Sequence, residues 1–441
     1  MIWIAVLLFL VSLLAVCKPP FYHAWMLSVA VAGLPWLFAF VSMAVSLAGY
    51  FQGQGVPGLA ESVTGGALTS WTMAFAGAAF LLFCVPVLRA FIMARPMKKA
   101  LRKAFAEPVL PAATALSGAP ALPAATALPA APALPAAPAL PAASVLLAAG
   151  AGHASKEDDR QLLPQAFRFW KMFTGPLAKK VPFQTNCYSP TARYCPSAES
   201  ALSLDFYPAQ SEGLRPCIIV IHGGSWSSGD SRQLPELNSR LARDGYHVAA
   251  INYRLAPRYQ SPLAVEDVRN AIDFLRENAR DLRIAADRFL MLGRSAGGQI
   301  ALQAAYTLDD PGIRGVIAYY APADMVWGYS APARRLIMDS CKVMEAYLGG
   351  SYQECPENYH AASPLDAVTA NAVPTLLLHG KNDVLVAYEH SVRLARKLRA
   401  AGRPHYLLSL PAGTHGFDYV LDGPEGQLAT YAVRYFLNRI T

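Results

Sequence analysis

The stretch Phe289-Leu290-Met291-Leu292-Gly293-Arg294-Ser295-Ala296-Gly297-Gly298 constrains the fold more than any other part of the chain. Four apolar residues read as a buried strand, and Gln299-Ile300-Ala301-Leu302-Gln303-Ala304-Ala305 reads as a helix, so G-x-S-x-G occupies the turn between them. A strand that turns into a helix within so few residues brings backbone against backbone, and a Cβ at Gly293 or Gly297 would clash there. The Ser295 hydroxyl is then held in the open at the positive end of a helix, where developing negative charge is stabilised. A glycine-rich turn whose serine merely caps the helix would look the same, so the other motifs decide.

From about residue 200 onward, short apolar runs alternate with amphipathic helices, the signature of a parallel α/β sheet. Strands are expected at Leu202–Tyr207, Cys217–Ile221, His247–Asn252, Phe289–Leu292, Gly315–Tyr320, Thr375–Leu378 and Tyr406–Leu410. Helices are expected at Leu234–Asp244, Val265–Asn278, Gly298–Thr307, Tyr388–Ala401 and Glu425–Arg439.

A serine that attacks an acyl group needs a base, a group that orients the base, and donors for the oxyanion. The base candidate is His415, set between glycines in Ala412-Gly413-Thr414-His415-Gly416 just after the last strand. Asp383, in His379-Gly380-Lys381-Asn382-Asp383, follows the strand before it. The order Ser…Asp…His, each at the C-terminal end of a strand, is where α/β sheets gather their sites. Donors for an oxyanion come from Gly223 and Gly224 in His222-Gly223-Gly224-Ser225-Trp226, with the N–H of Ala296 as the third. Asp267 is read as ordering a helix start, with no chemistry. Nothing suggests a metal site, a nucleotide site or a cofactor, and none is expected.

These motifs, together with Asn252-Tyr253-Arg254-Leu255-Ala256-Pro257 and Thr414-His415-Gly416-Phe417, occur in one order. From about Leu202 to the C-terminus the chain resembles the hormone-sensitive-lipase-like and feruloyl-esterase-like α/β hydrolases. The resemblance implies an α/β-hydrolase fold of eight mostly parallel strands and a cofactor-free carboxylic ester hydrolase. It puts the nucleophile at Ser295, the acid at Asp383, the base at His415 and the oxyanion hole at Gly223, Gly224 and Ala296. Ser225-Trp226 stands where the lipase branch has a third glycine. That shifts the match towards the feruloyl-esterase, kynurenine-formamidase and prenylcysteine-methylesterase branches, and membrane spans ahead of the hydrolase also look like the last. An amidohydrolase or formamidase with the same machinery, or a non-catalytic ligand-binding relative, stay open as alternatives.

The first third is a different material. The whole chain of 441 residues is 54% hydrophobic and only 15% charged, and the excess lies at the N-terminus. Ile2–Val16, Ala24–Tyr50 and Ala67–Met93 are apolar runs, the second without any charge and the third interrupted by Arg89. The last two match the roughly 20 residues needed to cross a bilayer, while the first is short. A signal peptide is the competing reading of the first, but no Lys or Arg precedes it. Three spans are expected, at about 2–17, 25–50 and 67–93. The net charge of +8 is uneven, with Arg95, Lys98, Lys99, Arg102 and Lys103 clustered after the third run. That position makes the cluster a topology signal, not a nucleic-acid surface, with the N-terminus outside and everything after residue 95 cytoplasmic.

From Pro108 to about Ala143 the chain is nearly all Ala, Pro and Leu, with prolines at every third position from 129 to 141. Interior prolines reject a fourth span, and the spacing suits a polyproline II spacer reaching roughly 100 Å. The expected domains are therefore a membrane region 1–103, a linker 104–155 and a hydrolase 156–441 whose motifs lie within 202–441. The mixed aromatic and basic residues of 156–200 suit a membrane surface, a cover over the site, or an ordinary packing helix. The segment Asp324–Thr375, with Met325, Trp327, Tyr329, Met338, Met344 and Tyr347, reads either as a cap suited to an apolar acyl or aryl group or as plain core. The expected partners are a small-molecule ester and the lipid bilayer of a plasma or inner membrane. The seven cysteines show no zinc-type spacing. Cys187/Cys195 and Cys341/Cys355 are close enough in sequence to pair, and reduced thiols are favoured.

Overall fold

The computed structural model describes residues 1–53, 63–106, 166–175, 180–188 and 202–441. The expected Pro/Ala linker, the loop bearing Glu61, and Cys195 lie outside them.

Eight strands form one sheet in the order β1-β2-β4-β3-β5-β6-β7-β8. They are β1 (Gln184–Tyr188), β2 (Leu202–Tyr207), β3 (Arg215–Ile221), β4 (His247–Ile251), β5 (Ile284–Arg294), β6 (Ile313–Tyr319), β7 (Thr375–Gly380) and β8 (His405–Leu410). Strands β3 to β8 run parallel, and β1 and β2 close one edge antiparallel. Central strands such as β3, Arg-Pro-Cys-Ile-Ile-Val-Ile, are buried on both faces, which is why they read as unbroken apolar runs. Strand β1 escaped the sequence reading because it is the polar edge, Gln-Thr-Asn-Cys-Tyr, mostly exposed.

The helices, in chain order, begin with α1 (Ile2–Ser12), α2 (Tyr22–Gly33), α3 (Pro35–Gly53), α4 (Val63–Ala104) and the single turn α5 (Lys171–Thr174). Over the sheet lie α6 (Pro235–Arg243), α7 (Leu263–Glu277), α8 (Ala296–Thr307), α12 (Glu389–Ala400) and α13 (Pro424–Ile440). The cap segment supplies α9 (Met325–Ser330), α10 (Ser340–Leu348) and α11 (Pro356–Ala361). The five helices expected over the sheet form within two residues of their expected ends, and α7, α8 and α12 turn their apolar residues into one buried core with the strands.

The N-terminal helices depart from the three expected spans, and the first run forms only a shorter apolar helix, Ile2–Ala15. The run expected to cross once over 25–50 is two helices, α2 and α3, bent by 88° at Leu34-Pro35. Proline fixes its own φ and lacks an N–H, so Pro35 suits the first position of α3, where no intrahelical donor is needed. Helix α4 runs past residue 93, so the basic cluster is helical, and it keeps Pro86 and Pro96 inside. Among the described residues, α4 is the one helix long and apolar enough to cross a membrane, and the bent pair makes a second if it counts as one span. Small residues bring α1, α3 and α4 together: Ala5 meets Val45 and Ala76, and Ala15, Ala39 and Ala79 surround Phe83. These helices form one compact unit with the sheet-bearing part of the chain. Phe105 meets Phe436 with ring centres 5.0 Å apart, and Lys98 lies 5.1 Å over the Tyr431 ring.

Candidate active site

Strand β5 ends at Arg294, and Ser295 turns the chain into α8 with φ 53° and ψ −121°. A positive φ at a residue with a Cβ is strained backbone, held here by its surroundings. The glycines explain how the turn closes. A Cβ on Gly293 would fall 2.1 Å from the Gly297 carbonyl oxygen, and one on Gly297 would fall 2.2 Å from that of His222. Elbow and His222 loop are thus in direct backbone contact, with no room for a methyl group.

The three residues expected to cooperate are brought together. His415 Nε2 lies 3.0 Å from Ser295 Oγ, and His415 Nδ1 lies 2.7 Å from Asp383 Oδ2. Asp383 Oδ1 accepts from the Leu385 and Val386 N–H groups, each 2.9 Å away. Its side chain is fully buried, and His379 Nε2 approaches the other oxygen at 3.3 Å. Burial alone would raise the Asp383 pKa, but the adjacent His415 and the hydrogen bonds from His379 and His415 outweigh it. The carboxyl is held far below the ordinary carboxylate range, so it stays charged and fixes Nδ1 as the protonated nitrogen of His415. Nε2 is left facing the Ser295 hydroxyl with its lone pair.

The oxyanion donors fit only in part. Ala296 is the first residue of α8, where an N–H has no intrahelical partner. Gly224 sits at φ 128°, and a Cβ there would lie 2.0 Å from the Ser228 carbonyl oxygen. Gly223 departs from expectation: its N–H already donates to Gln233 Oε1 at 2.8 Å. Ser225, with φ 52°, lines the cavity beside Ser295 and Ala296, where neither Gly223 nor Gly224 does. Position in a glycine pair signals a donor loop but not which N–H faces inward, and nothing in the sequence marks Ser225 as lining the cavity.

Other groups brace this arrangement. Trp226 Nε1 donates to Gln299 Oε1 at 2.9 Å and the ring stacks on Tyr347 at 4.6 Å, so the His222 loop is clamped to α8 and the cap. Below His415, Arg294 Nε and the Tyr320 hydroxyl donate to the two oxygens of Asp418, at 2.6 and 2.5 Å, and the Tyr320 ring lies 4.3 Å from the imidazole. Asp267 pairs with Arg254 through bonds from the Arg254 N–H and Nε, both 2.8 Å, and thereby holds the Asn252–Pro257 loop, in keeping with a structural part.

The cavity over Ser295 has a volume of about 240 Å³. Its walls come from the cap (Met338, Val343, Met344), the Asp383 loop (Val384, Leu385) and, unexpectedly, the N-terminal segment (Lys18, Pro19). His390, also lining it, is pushed down to about 3 by burial and the nearby His379, and is neutral at physiological pH. Among the described residues no cluster of His, Cys, Asp or Glu could hold a metal ion, and the six described cysteines are unpaired.

Comparison with known proteins bears on the fold and on the kind of protein this chain is similar to. A family model described as BD-FAE matches residues 204–398. Esterase LipC of Mycobacterium tuberculosis is 31% identical over 241 residues, covering 51% of this chain and 58% of the relative. Ethyl acetate hydrolase of Pseudomonas putida is 31% identical over 222 residues, covering 45% of this chain and 65% of that protein. The chain spans between 55% and 58% of the length of the three mycobacterial relatives it matches. Among solved structures, a bacterial heroin esterase superposes with a TM-score of 0.52 at 22% identity, over 65% of this chain and 96% of that one. The sheet-bearing part of the chain therefore has an α/β-hydrolase fold, and residues 204–398 within it match the BD-FAE model.

Proposed function

We propose that the protein is a membrane-anchored serine carboxylesterase. The observation that carries the reading is the continuous relay from Asp383 through His415 to Ser295, at 2.7 and 3.0 Å. His415 Nε2 takes the Ser295 proton as Oγ attacks the ester carbonyl. The N–H groups of Gly224 and Ala296 hold the oxyanion, with Ser225 as the third donor in place of Gly223. The intermediate collapses as His415 protonates the departing alkoxide. Water, deprotonated by His415, then releases the acid from the acyl-enzyme.

The cavity supports an apolar acyl or aryl substrate, because Met338, Val343, Met344 and Leu385 line the space beside Ser295. The N-terminal helices support anchoring in a plasma or inner membrane. Trp3, Leu7, Phe40, Trp71, Leu81 and Ile92 are exposed on them, and the most apolar stretch of α4 is only 28% buried, unlike the core helix of a soluble protein. The basic stretch of α4 packs on the hydrolase, which by the charge rule belongs on the cytoplasmic side. The test is hydrolysis of an acetyl-to-palmitoyl chromogenic ester series by the full chain in detergent. Turnover of esters above a matched anilide and formamide panel supports the reading. Turnover of amides alone would replace it with the amidohydrolase reading, and no turnover of either would leave a ligand-binding relative.

A further inference from the structure

The N-terminal segment reaches into the catalytic centre. Between α1 and α2, Lys18 and Pro19 line the cavity beside Ser295. The Tyr22 N–H donates to the Leu336 carbonyl at 3.1 Å, tying the start of α2 to the cap. One turn later the Trp25 indole Nε1 donates to the His415 carbonyl oxygen at 3.0 Å, with its ring centre 6.3 Å from the imidazole. At the far end of α2, a Cβ on Gly33 would fall 2.4 Å from Val420 Cγ2, and one on Gly423 would fall 2.6 Å from the Gly33 carbonyl oxygen. Helix α2 therefore lies against the His415 loop from one end to the other.

That loop is held from several sides, with the Gly413 carbonyl accepting from the Asn382 N–H at 3.0 Å. His415 is flanked by Thr414 and Gly416, the latter at φ 79°, and Gly413 precedes them, so the peptides around it have joints on both sides. Phe417 and Tyr419 donate to Thr414 and Gly416, whereas the His415 carbonyl receives the Trp25 indole. Tyr320 supports the imidazole from below, 4.3 Å away, and Trp25 fixes the peptide that carries it.

We propose that Trp25 is a positioning residue for His415, and that the apolar N-terminal segment is part of the catalytic apparatus as well as an anchor. The inference rests on the assignment of His415 as base to Ser295. The Trp25 indole N–H bonds the backbone carbonyl of His415, so it acts on the fraction of enzyme with Nε2 in reach of Oγ and not on substrate binding.

The experiment uses the full chain in detergent and compares wild type, Trp25→Phe and Trp25→3-benzothienylalanine, which keeps the bicyclic ring and removes only the N–H. A net hydrogen bond corresponds to a fall in kcat of about three- to tenfold. The expected result for the isostere is that fall with KM and Tm unchanged, and a matching decrease in the rate of fluorophosphonate labelling. Trp25→Phe should lose at least as much kcat, and if it fails to fold the isostere alone decides. A wild-type kcat in the isostere overturns the proposal, as does a loss that appears in KM or in Tm instead. An inactive, unlabelled wild type would instead sink the assignment of Ser295 and His415.

Discussion

Adding one methyl group at Gly297 should disable the site without touching a reacting atom. A Cβ there would lie 2.2 Å from the His222 carbonyl oxygen and 2.3 Å from that of Ile221, where ordinary contact begins at 3.4 Å. Both contacts are backbone, so no side chain can swing aside. The end of β3 and the start of α8 must separate by about 1.2 Å, which moves Gly224 and Ser225 relative to Ala296. Misplacing reacting groups by about 1 Å costs on the order of 10²-fold, and losing one oxyanion donor costs about 3 kcal/mol, a similar factor. Gly297→Ala is therefore expected to lower kcat/KM by at least about 10²-fold, mostly through kcat. The assay is steady-state hydrolysis of a short-chain chromogenic ester, with Tm recorded in parallel. Gly77→Ala, where nothing lies within 4 Å, is the matched control. A Gly297→Ala protein with kcat/KM within about threefold of wild type and the same Tm would refute the argument that elbow and donor loop are held by backbone contact.

Further expectations follow from the same geometry. Asp383→Asn should keep the fold and lower kcat by about 10³- to 10⁴-fold with KM little changed, because His415 would be held in the wrong tautomer; equal kcat would remove Asp383 from the mechanism. Arg294→Met leaves Asp418 buried beside the Tyr320 hydroxyl without its cation, and should destabilise by about 3–5 kcal/mol, read as a fall in denaturation midpoint. His390 is pushed down to about 3 by burial and by His379 and Arg393, against the pull of Asp324 and Asp383. Its neutral form is the folded one, so this contribution is complete above pH 6.5 and is lost as pH falls towards 3. The loss is about 2 kcal/mol by pH 5. His390→Gln should flatten the pH 5–7 dependence of Tm, and an unchanged slope would contradict it.

Much of the sheet was legible because parallel strands buried on both faces carry no polar interruption, as in Cys217–Ile221 and Phe289–Leu292. The polar edge strand β1 gave no such signal. Ser295, Asp383 and His415 were legible because each follows an apolar strand within a glycine-bearing loop. What escaped depends on long-range contact. Gln233 engages Gly223, Gln299 clamps Trp226, and Asp418 joins Arg294 to Tyr320, none with a spacing that marks it beforehand. Trp25 is separated from His415 by 390 positions and lies in a stretch whose apolar character points only to a bilayer. The bend at Leu34-Pro35 was readable in the proline itself, but mean hydropathy over 25–50 is insensitive to one residue.

The most direct test of the central claim is covalent trapping. The purified full chain is incubated with a fluorophosphonate, digested, and the modified peptide sequenced by mass spectrometry, with Ser295→Ala and His415→Ala alongside. The account predicts a single adduct on Ser295, absent from Ser295→Ala and strongly slowed in His415→Ala. An adduct on another residue, or an unmodified Ser295 in an enzyme that still hydrolyses esters, would contradict it.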